Sequence, residues 1–209
     1  MKKYVLSTLV CGVACSAGFA DAAPRKTLSD YSTPPSNIIK DAELMINAEY
    51  TAIDYDKGDA VPDHLYGFRV DWRRNFAIEQ KSFWNAGISL GYAQGSEHDV
   101  DVSHLTLNLG IDYNIAVGQR TYFFVGTRIG MNQIETKFKD EESTTTNRAQ
   151  MGLGLGIKHY FPNSNNCLIF GLQRMMINCQ INAVSTTTAY VGYSFASVSY
   201  THLRAHETR

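Results

Sequence analysis

From residue 43 onward, apolar and polar residues alternate along the chain. Tyr66, Phe68, Val70 and Trp72 share one parity, and Gly67, Arg69, Asp71 and Arg73 share the other. Trp84, Ala86, Ile88, Leu90 and Tyr92 alternate with Asn85, Gly87, Ser89 and Gly91, and Leu105, Leu107, Leu109, Ile111 and Tyr113 with His104, Thr106, Asn108, Gly110 and Asp112. The pattern continues with Phe123, Val125, Ile129 and Met131 against Phe124, Gly126, Arg128 and Gly130. Met151, Leu153, Leu155, Ile157 and Phe161 then oppose Gln150, Gly152, Gly154, Gly156 and Lys158. A period of two is the mark of a strand with two unlike faces.

Shorter runs open and close the series. Leu44, Ile46, Ala48 and Tyr50 face away from Asn47, Glu49 and Thr51; Ala189, Val191, Tyr193 and Phe195 face away from Tyr190, Gly192 and Ser194. A further strand is expected from Cys167 to Asn178, where Leu168, Phe170 and Leu172 share a face that Arg174 interrupts. Strands of about ten residues suit a tilted bilayer crossing. The connections 115–119 and 162–166 are tight, whereas 132–147 is long and polar and 178–186 is intermediate. Segment 75–81 is longer than a short-side turn should be. The expected fold is all-β: an eight-stranded antiparallel up-and-down transmembrane β-barrel with a polar, Gly-rich interior.

Alternation alone fits a soluble ligand-binding barrel as well, with its faces reversed. Glycine and depth argue for the membrane form. Gly67, Gly87, Gly91, Gly110, Gly126, Gly130, Gly152, Gly154, Gly156 and Gly192 all have the polar parity. Glycine weakens an exposed strand, whereas inside a narrow barrel it makes room for large side chains. On the apolar parity, Trp72, Trp84, Tyr113, Phe123, Phe161 and Phe195 fall at one end of the strands, and Tyr66 and Tyr92 at the other. These eight are the candidate aromatic girdles at the two membrane interfaces.

The polar parity also carries charge. Glu49, Asp71 and Asp112 stand against Arg69, Arg73, Arg128 and Lys158, a candidate interior ion network. Buried charges require partners. A first hairpin centred on Asp59 would set Glu49 opposite Arg69 and join them in a cross-strand ion pair.

Catalytic chemistry finds little support. Ser103 and His104 are neighbours, so in a strand they point to opposite faces and cannot pair as nucleophile and base. His159 has the outward parity, and His64 and His98 lie toward loops. No catalytic residue, metal site or cofactor is expected. The loop from Lys137 to Asn147 is polar and is the candidate contact for an extracellular ligand.

Composition adjusts this picture at the ends. Lys2 and Lys3, an apolar stretch from Tyr4 to Ala14 and Ala20-Asp21-Ala22 read as a secretory signal over 1–22, cleaved after export through the Sec pathway. The alternative, a lipoprotein signal with Cys15 lipidated, has Gly12 where such signals carry Leu. Residues 23–41, with Pro24, Pro34 and Pro35, read as a flexible periplasmic lead, and 42–197 as the barrel. Val198 to Thr208 resembles a conceptual translation of a transposon-type sequencing adapter. Residues 198–209, including the metal-ligand-like spacing of His202, His206 and Glu207, are therefore set aside. The chain's formal net charge of −1 offers no electrostatic case for nucleic acid. Cys167 and Cys179, at the two ends of one strand, would stand roughly 40 Å apart and could not bridge.

Met151-Gly-Leu-Gly-Leu-Gly156 and Tyr190-Val-Gly-Tyr-Ser-Phe195 resemble the OmpA-like and opacity-type small outer-membrane barrels. The resemblance covers about residues 42–197 and rests on pattern. It implies residence in the bacterial outer membrane, lipid contact, insertion by the barrel-assembly machinery and a monomeric state. Such barrels finish on an aromatic residue that the assembly machinery recognises, a place taken in this chain by the adapter-like tail. The implied role is a non-enzymatic surface barrel serving envelope integrity or loop-mediated adhesion. A narrow porin-like channel, a soluble periplasmic lipocalin-like barrel and a lipid-modifying enzyme are the alternatives.

Overall fold

A computed structural model of the chain describes residues 38–54, 62–79, 81–139, 142–162, 164–177 and 184–197. Eight strands run in chain order: β1 (Ala42–Asp54), β2 (His64–Phe76), β3 (Ser82–Glu97), β4 (Val100–Ala116), β5 (Thr121–Phe138), β6 (Thr144–Tyr160), β7 (Cys167–Ile177) and β8 (Val184–Ser197). Each pairs antiparallel with the next, and β8 closes on β1. Closure removes the sheet edges through the body of the barrel, so backbone groups there are satisfied without water.

The two faces divide as the alternation requires. Tyr66, Ile129 and Leu153 stand outward at 61%, 60% and 63% exposure, while Asp71, Asp112 and Lys158 point inward at 2%. A sheath of exposed Leu, Ile, Val and aromatic side chains around a charged interior is the inverse of a water-soluble barrel, and its natural surroundings are hydrocarbon. Arg174 keeps the outward parity in β7 and donates to Ser185 Oγ at 3.3 Å.

Glycine is required where a neighbour lies on the strand. A Cβ on Gly110 would meet Arg128 Cδ at 2.6 Å, and one on Gly171 would meet the Tyr190 ring at 2.3 Å. Arg128 and Tyr190, two large interior side chains of the middle layer, thus rest on bare backbone.

Two expectations about segments are corrected. The polar stretch 132–147 is mostly strand, because β5 continues to Phe138 and β6 resumes at Thr144. The threonines and alternating polar residues there satisfy a strand outside the hydrocarbon as well as a loop. His64 opens β2 on its outer face at the loop end and His98 lies in a loop, as expected, with His98 and Asp99 forming a two-residue turn with φ of 48° and 66°. Such paired positive φ angles match the twist of a tight hairpin. Finally, the last part of the lead is fastened. Asn165 Nδ2 donates to Ile38 O at 2.8 Å, Asn75 Nδ2 to Lys40 O at 2.7 Å, and Asn75 N to Asp41 O at 2.7 Å.

The strands are unequal in length. β3 to β6 have 16, 17, 18 and 17 residues, against 13, 13, 11 and 14 for β1, β2, β7 and β8. The β2–β3 ladder stops at Gln94 and the β6–β7 ladder at Gln150, so the excess lies at the end away from Ile38. Among the described residues, β3 to β6 therefore extend furthest at that far rim, as a four-stranded wall.

Candidate functional site

The lumen is filled in layers. At the mouth nearest Ile38, the inward residues Met45, Phe83, Tyr122, Phe124, Tyr160 and Ile169 form an apolar stopper, with Ile38 packed against them. Phe83, Tyr122 and Tyr160 interlock edge to face, with centroids 5.3 Å and 5.7 Å apart. At the far end Ile53, Leu65, Ala93, Val100 and Val102 form a second apolar cluster.

Between them lies the ion network. Asp71 accepts from Arg69 Nε at 3.0 Å and Arg73 Nη2 at 3.2 Å. Asp112 binds Arg73 and takes both terminal nitrogens of Arg128, at 2.5 Å and 3.0 Å. Arg69 also reaches Glu49 at 2.6 Å and lies 4.4 Å over the Tyr190 ring. Asn47 and Gln173 complete the shell, the first donating to Asp71 at 2.7 Å and the second accepting from Arg69 at 3.2 Å. All seven charged residues named from the sequence come together inside the barrel.

Two features differ from expectation. Glu49 stands opposite Gly67, and Arg69 stands opposite Asn47, so the first hairpin is centred one residue earlier than Asp59. The Glu49–Arg69 pair nevertheless forms, diagonally, because the shift preserves parity and the guanidinium spans the extra step. The second is an eighth member, Glu43, buried to 1% exposure. Its carboxylate accepts from Lys158 Nζ at 2.8 Å, Tyr160 Oη at 2.6 Å and Asn75 Nδ2 at 3.2 Å. Parity with Asn47 and Glu49 marks Glu43 as inward; its place at the very start of the apolar pattern hid it. With Glu43 included, four carboxylates match four cations.

Above the network is a small polar cavity of ≈ 30 Å³ lined in part by Thr51, His104, Asn108, Asn132, Gln150 and Thr188. Asn132 Nδ2 lies 3.3 Å from His104 Nδ1, while His104 Nε2 and Asn132 Oδ1 face inward without a protein partner. Groups of this kind in a polar recess are satisfied by water.

The candidate girdle residues all have outward parity. Tyr66, Trp72, Trp84, Tyr92 and Phe195 are exposed, and Tyr113 and Phe123 are half-buried by neighbours on the outer face. Trp84 packs on Tyr113 at 4.8 Å, and Phe161, one residue beyond β6, stacks on Tyr193 at 5.9 Å. Tyr50 joins them unforeseen, 5.3 Å from Tyr66. His159 is outward too, 2.9 Å from Thr121 Oγ1. Cys167 is a buried free thiol at the near mouth; Cys179 lies outside the described residues. Among the described residues no cluster of potential metal ligands occurs.

No family model matches the sequence, and no curated protein does. Solved structures do resemble the fold. Neisserial surface protein A aligns with a TM-score of 0.60 at 11% identity, over 75% of this chain and 97% of that one. Ail, the attachment invasion locus protein of Yersinia pestis, aligns with a TM-score of 0.52 at 11% identity, over 75% and 99%. The same protein in complex with the heparin analogue sucrose octasulfate gives 0.51, again at 11% identity over 75% and 99%. At that identity the likeness is one of backbone architecture. The closed meander, its apolar outside and charge-balanced inside, and this likeness together give the chain the fold of the small eight-stranded outer-membrane β-barrels.

Proposed function

We propose that the protein is a non-enzymatic surface barrel of the outer membrane, a filled scaffold whose activity lies on its outer end rather than through its lumen. One observation carries this reading: the lumen is closed by matched charges between two apolar clusters. A permeant ion would have to separate the Arg73–Asp112–Arg128 bridge or the Glu43–Lys158 pair, and then pass the Phe83–Tyr122–Tyr160 stopper. Stripping an ion to enter such a space costs several kcal/mol without a compensating free charge. Ser103 and His104 support the non-enzymatic part, since they point to opposite faces of β4.

With the near end, where β1 begins and β8 finishes, on the periplasmic side, the β3–β6 wall faces the cell exterior. A rigid wall above the membrane favours adhesion over a purely structural role, because it presents side chains in fixed positions. The partners that follow are outer-leaflet lipid and an extracellular ligand, with the barrel acting as a monomer after insertion by the assembly machinery. Planar-bilayer recording tests the closed scaffold: the full chain should give no discrete conductance steps, and steps that scale with salt would overturn the reading. Cell-surface display with and without replacement of Glu97–Val100 by Gly-Ser tests the wall, with loss of cell attachment as the expected outcome.

A further inference from the structure

On its outer face the wall holds a groove of about 290 Å³, close to the lower bound of roughly 300 Å³ for small-ligand sites. Two ladder rows make it. Gln94, Ser103 and Glu135 stand side by side across β3, β4 and β5, with Ser96, Asp101 and Lys137 in the row above. The row below contains Tyr92 and Leu105, which belong to the apolar sheath. The groove thus begins where the hydrocarbon-facing surface ends, and it opens toward the lipid rather than into the lumen.

Its chemistry is specific. Tyr92 Oη donates to Gln94 Oε1 at 3.1 Å, which leaves the Gln94 amide as a directed donor. Ser96 Oγ holds Asp101 Oδ1 at 2.5 Å, fixing that carboxylate. Among the described residues Glu135 and Lys137 form no ion pair, although both line the groove. Two carboxylates against one ammonium disfavour a phosphate or sulfate. They suit vicinal hydroxyls, each donating to a carboxylate oxygen, while the amide and ammonium donate to ring and hydroxyl oxygens. The ring of Tyr92 offers an apolar face for the C–H side of a sugar.

We propose that this groove binds the sugar headgroup of a glycolipid in the surrounding outer leaflet. The lipid-side position decides against a soluble saccharide: the acyl chains would lie along Leu105 and Leu107 directly below.

The test uses the full chain in lipid nanodiscs of phosphatidylcholine, with and without digalactosyl diacylglycerol, read by backbone-amide chemical shifts. The Ser103 and Glu135 amides should shift saturably with glycolipid content. A Gln94→Ala/Glu135→Ala variant, both positions exposed, should raise the midpoint about tenfold through lost hydrogen bonds. Heat-modifiable gel migration confirms that the variant is folded. Absence of a saturable shift, or a midpoint unchanged in the folded variant, would overturn the proposal. So would equal shifts from free digalactose added to phosphatidylcholine discs at the same sugar concentration, which would make the site one for soluble saccharide.

Discussion

The Glu43–Lys158 pair offers a quantitative test of how the lumen is held. Both side chains are essentially without solvent contact, at 1% and 2% exposure, and the ammonium lies 2.8 Å from the carboxylate. Replacing Glu43 by Gln keeps the oxygen that accepts from Tyr160 and Asn75, but removes the charge and puts an NH2 donor where the other oxygen accepted from Lys158. Lys158 is then stranded beside the Phe83 ring, 5.5 Å from its centroid. Breaking one side of a buried pair costs about 3–5 kcal/mol. Glu43→Ala also removes the acceptor of the Tyr160 hydroxyl, which adds about 1–3 kcal/mol. Glu43→Gln/Lys158→Met removes both charges at once. That double variant should lie within about 1–2 kcal/mol of the parent, since replacing a buried pair by groups of similar volume is often close to neutral. The assay is reversible urea unfolding in lipid vesicles, followed by Trp72 and Trp84 fluorescence and by heat-modifiable migration. Both tryptophans are on the outer face, so their emission reports loss of the lipid environment. Equal destabilisation of Glu43→Gln and the double variant would refute the argument, as would a Glu43→Gln loss below about 1 kcal/mol.

Three further outcomes follow from the same geometry. Asp112→Ala should destabilise more than Glu49→Ala in the urea assay, because Asp112 holds both Arg73 and Arg128 whereas Glu49 holds Arg69, which keeps Asp71. Gly171→Ala should lower stability by about 1–3 kcal/mol by overpacking against Tyr190, whereas Gly154→Ala, whose Cβ would find its nearest atom at 3.7 Å, should fold with unchanged yield. Ile38→Gly, in a Cys179→Ser background, should speed maleimide labelling of folded Cys167 severalfold, since Ile38 and Cys167 share the stopper at the near mouth; an unchanged rate would show that Ile38 does not shield it.

The parity of nearly every strand was legible in the sequence because a membrane barrel separates its faces so sharply. Leu105 to Tyr113 could not be inverted without burying Asp112 in lipid and exposing five apolar side chains to the lumen. Parity is also why all seven interior charges were identifiable before any pairing was known. Register was less so. Glu49 and Arg69 were matched one hairpin residue too late, since Gly58, Asp59 and Pro62 offer more than one turn centre between the strands and alternation is unchanged by a shift of two. The near-mouth stopper was obscured for a related reason. Phe83, Tyr122 and Tyr160 are aromatic residues of interior parity, and a rule that equates inward with polar assigns them nowhere. Gly171, which seats Tyr190, belongs to the same blind spot: it gains meaning only when the ring above it is known.

The way the interior is filled also narrows where function can reside. Within the network the charged groups are committed to one another: Asp71 holds Arg69, Arg73 and Asn47, while Asp112 holds Arg73 and Arg128. Moving one member would require several pairs to separate together, so the barrel body behaves as a single rigid unit. The wall is built from the same strands, and its hairpin inherits that rigidity through continuous β3–β4 and β4–β5 ladders up to Glu97–Val100 and Val100–Phe138. Its hydrogen bonds lie above the apolar sheath, where side chains can exchange water for a ligand at modest cost. A scaffold of this kind fixes the spacing of Gln94, Ser103 and Glu135 without requiring any motion of the lumen. Substitutions in the groove should therefore alter binding while leaving the urea midpoint in place, and substitutions in the network should do the reverse.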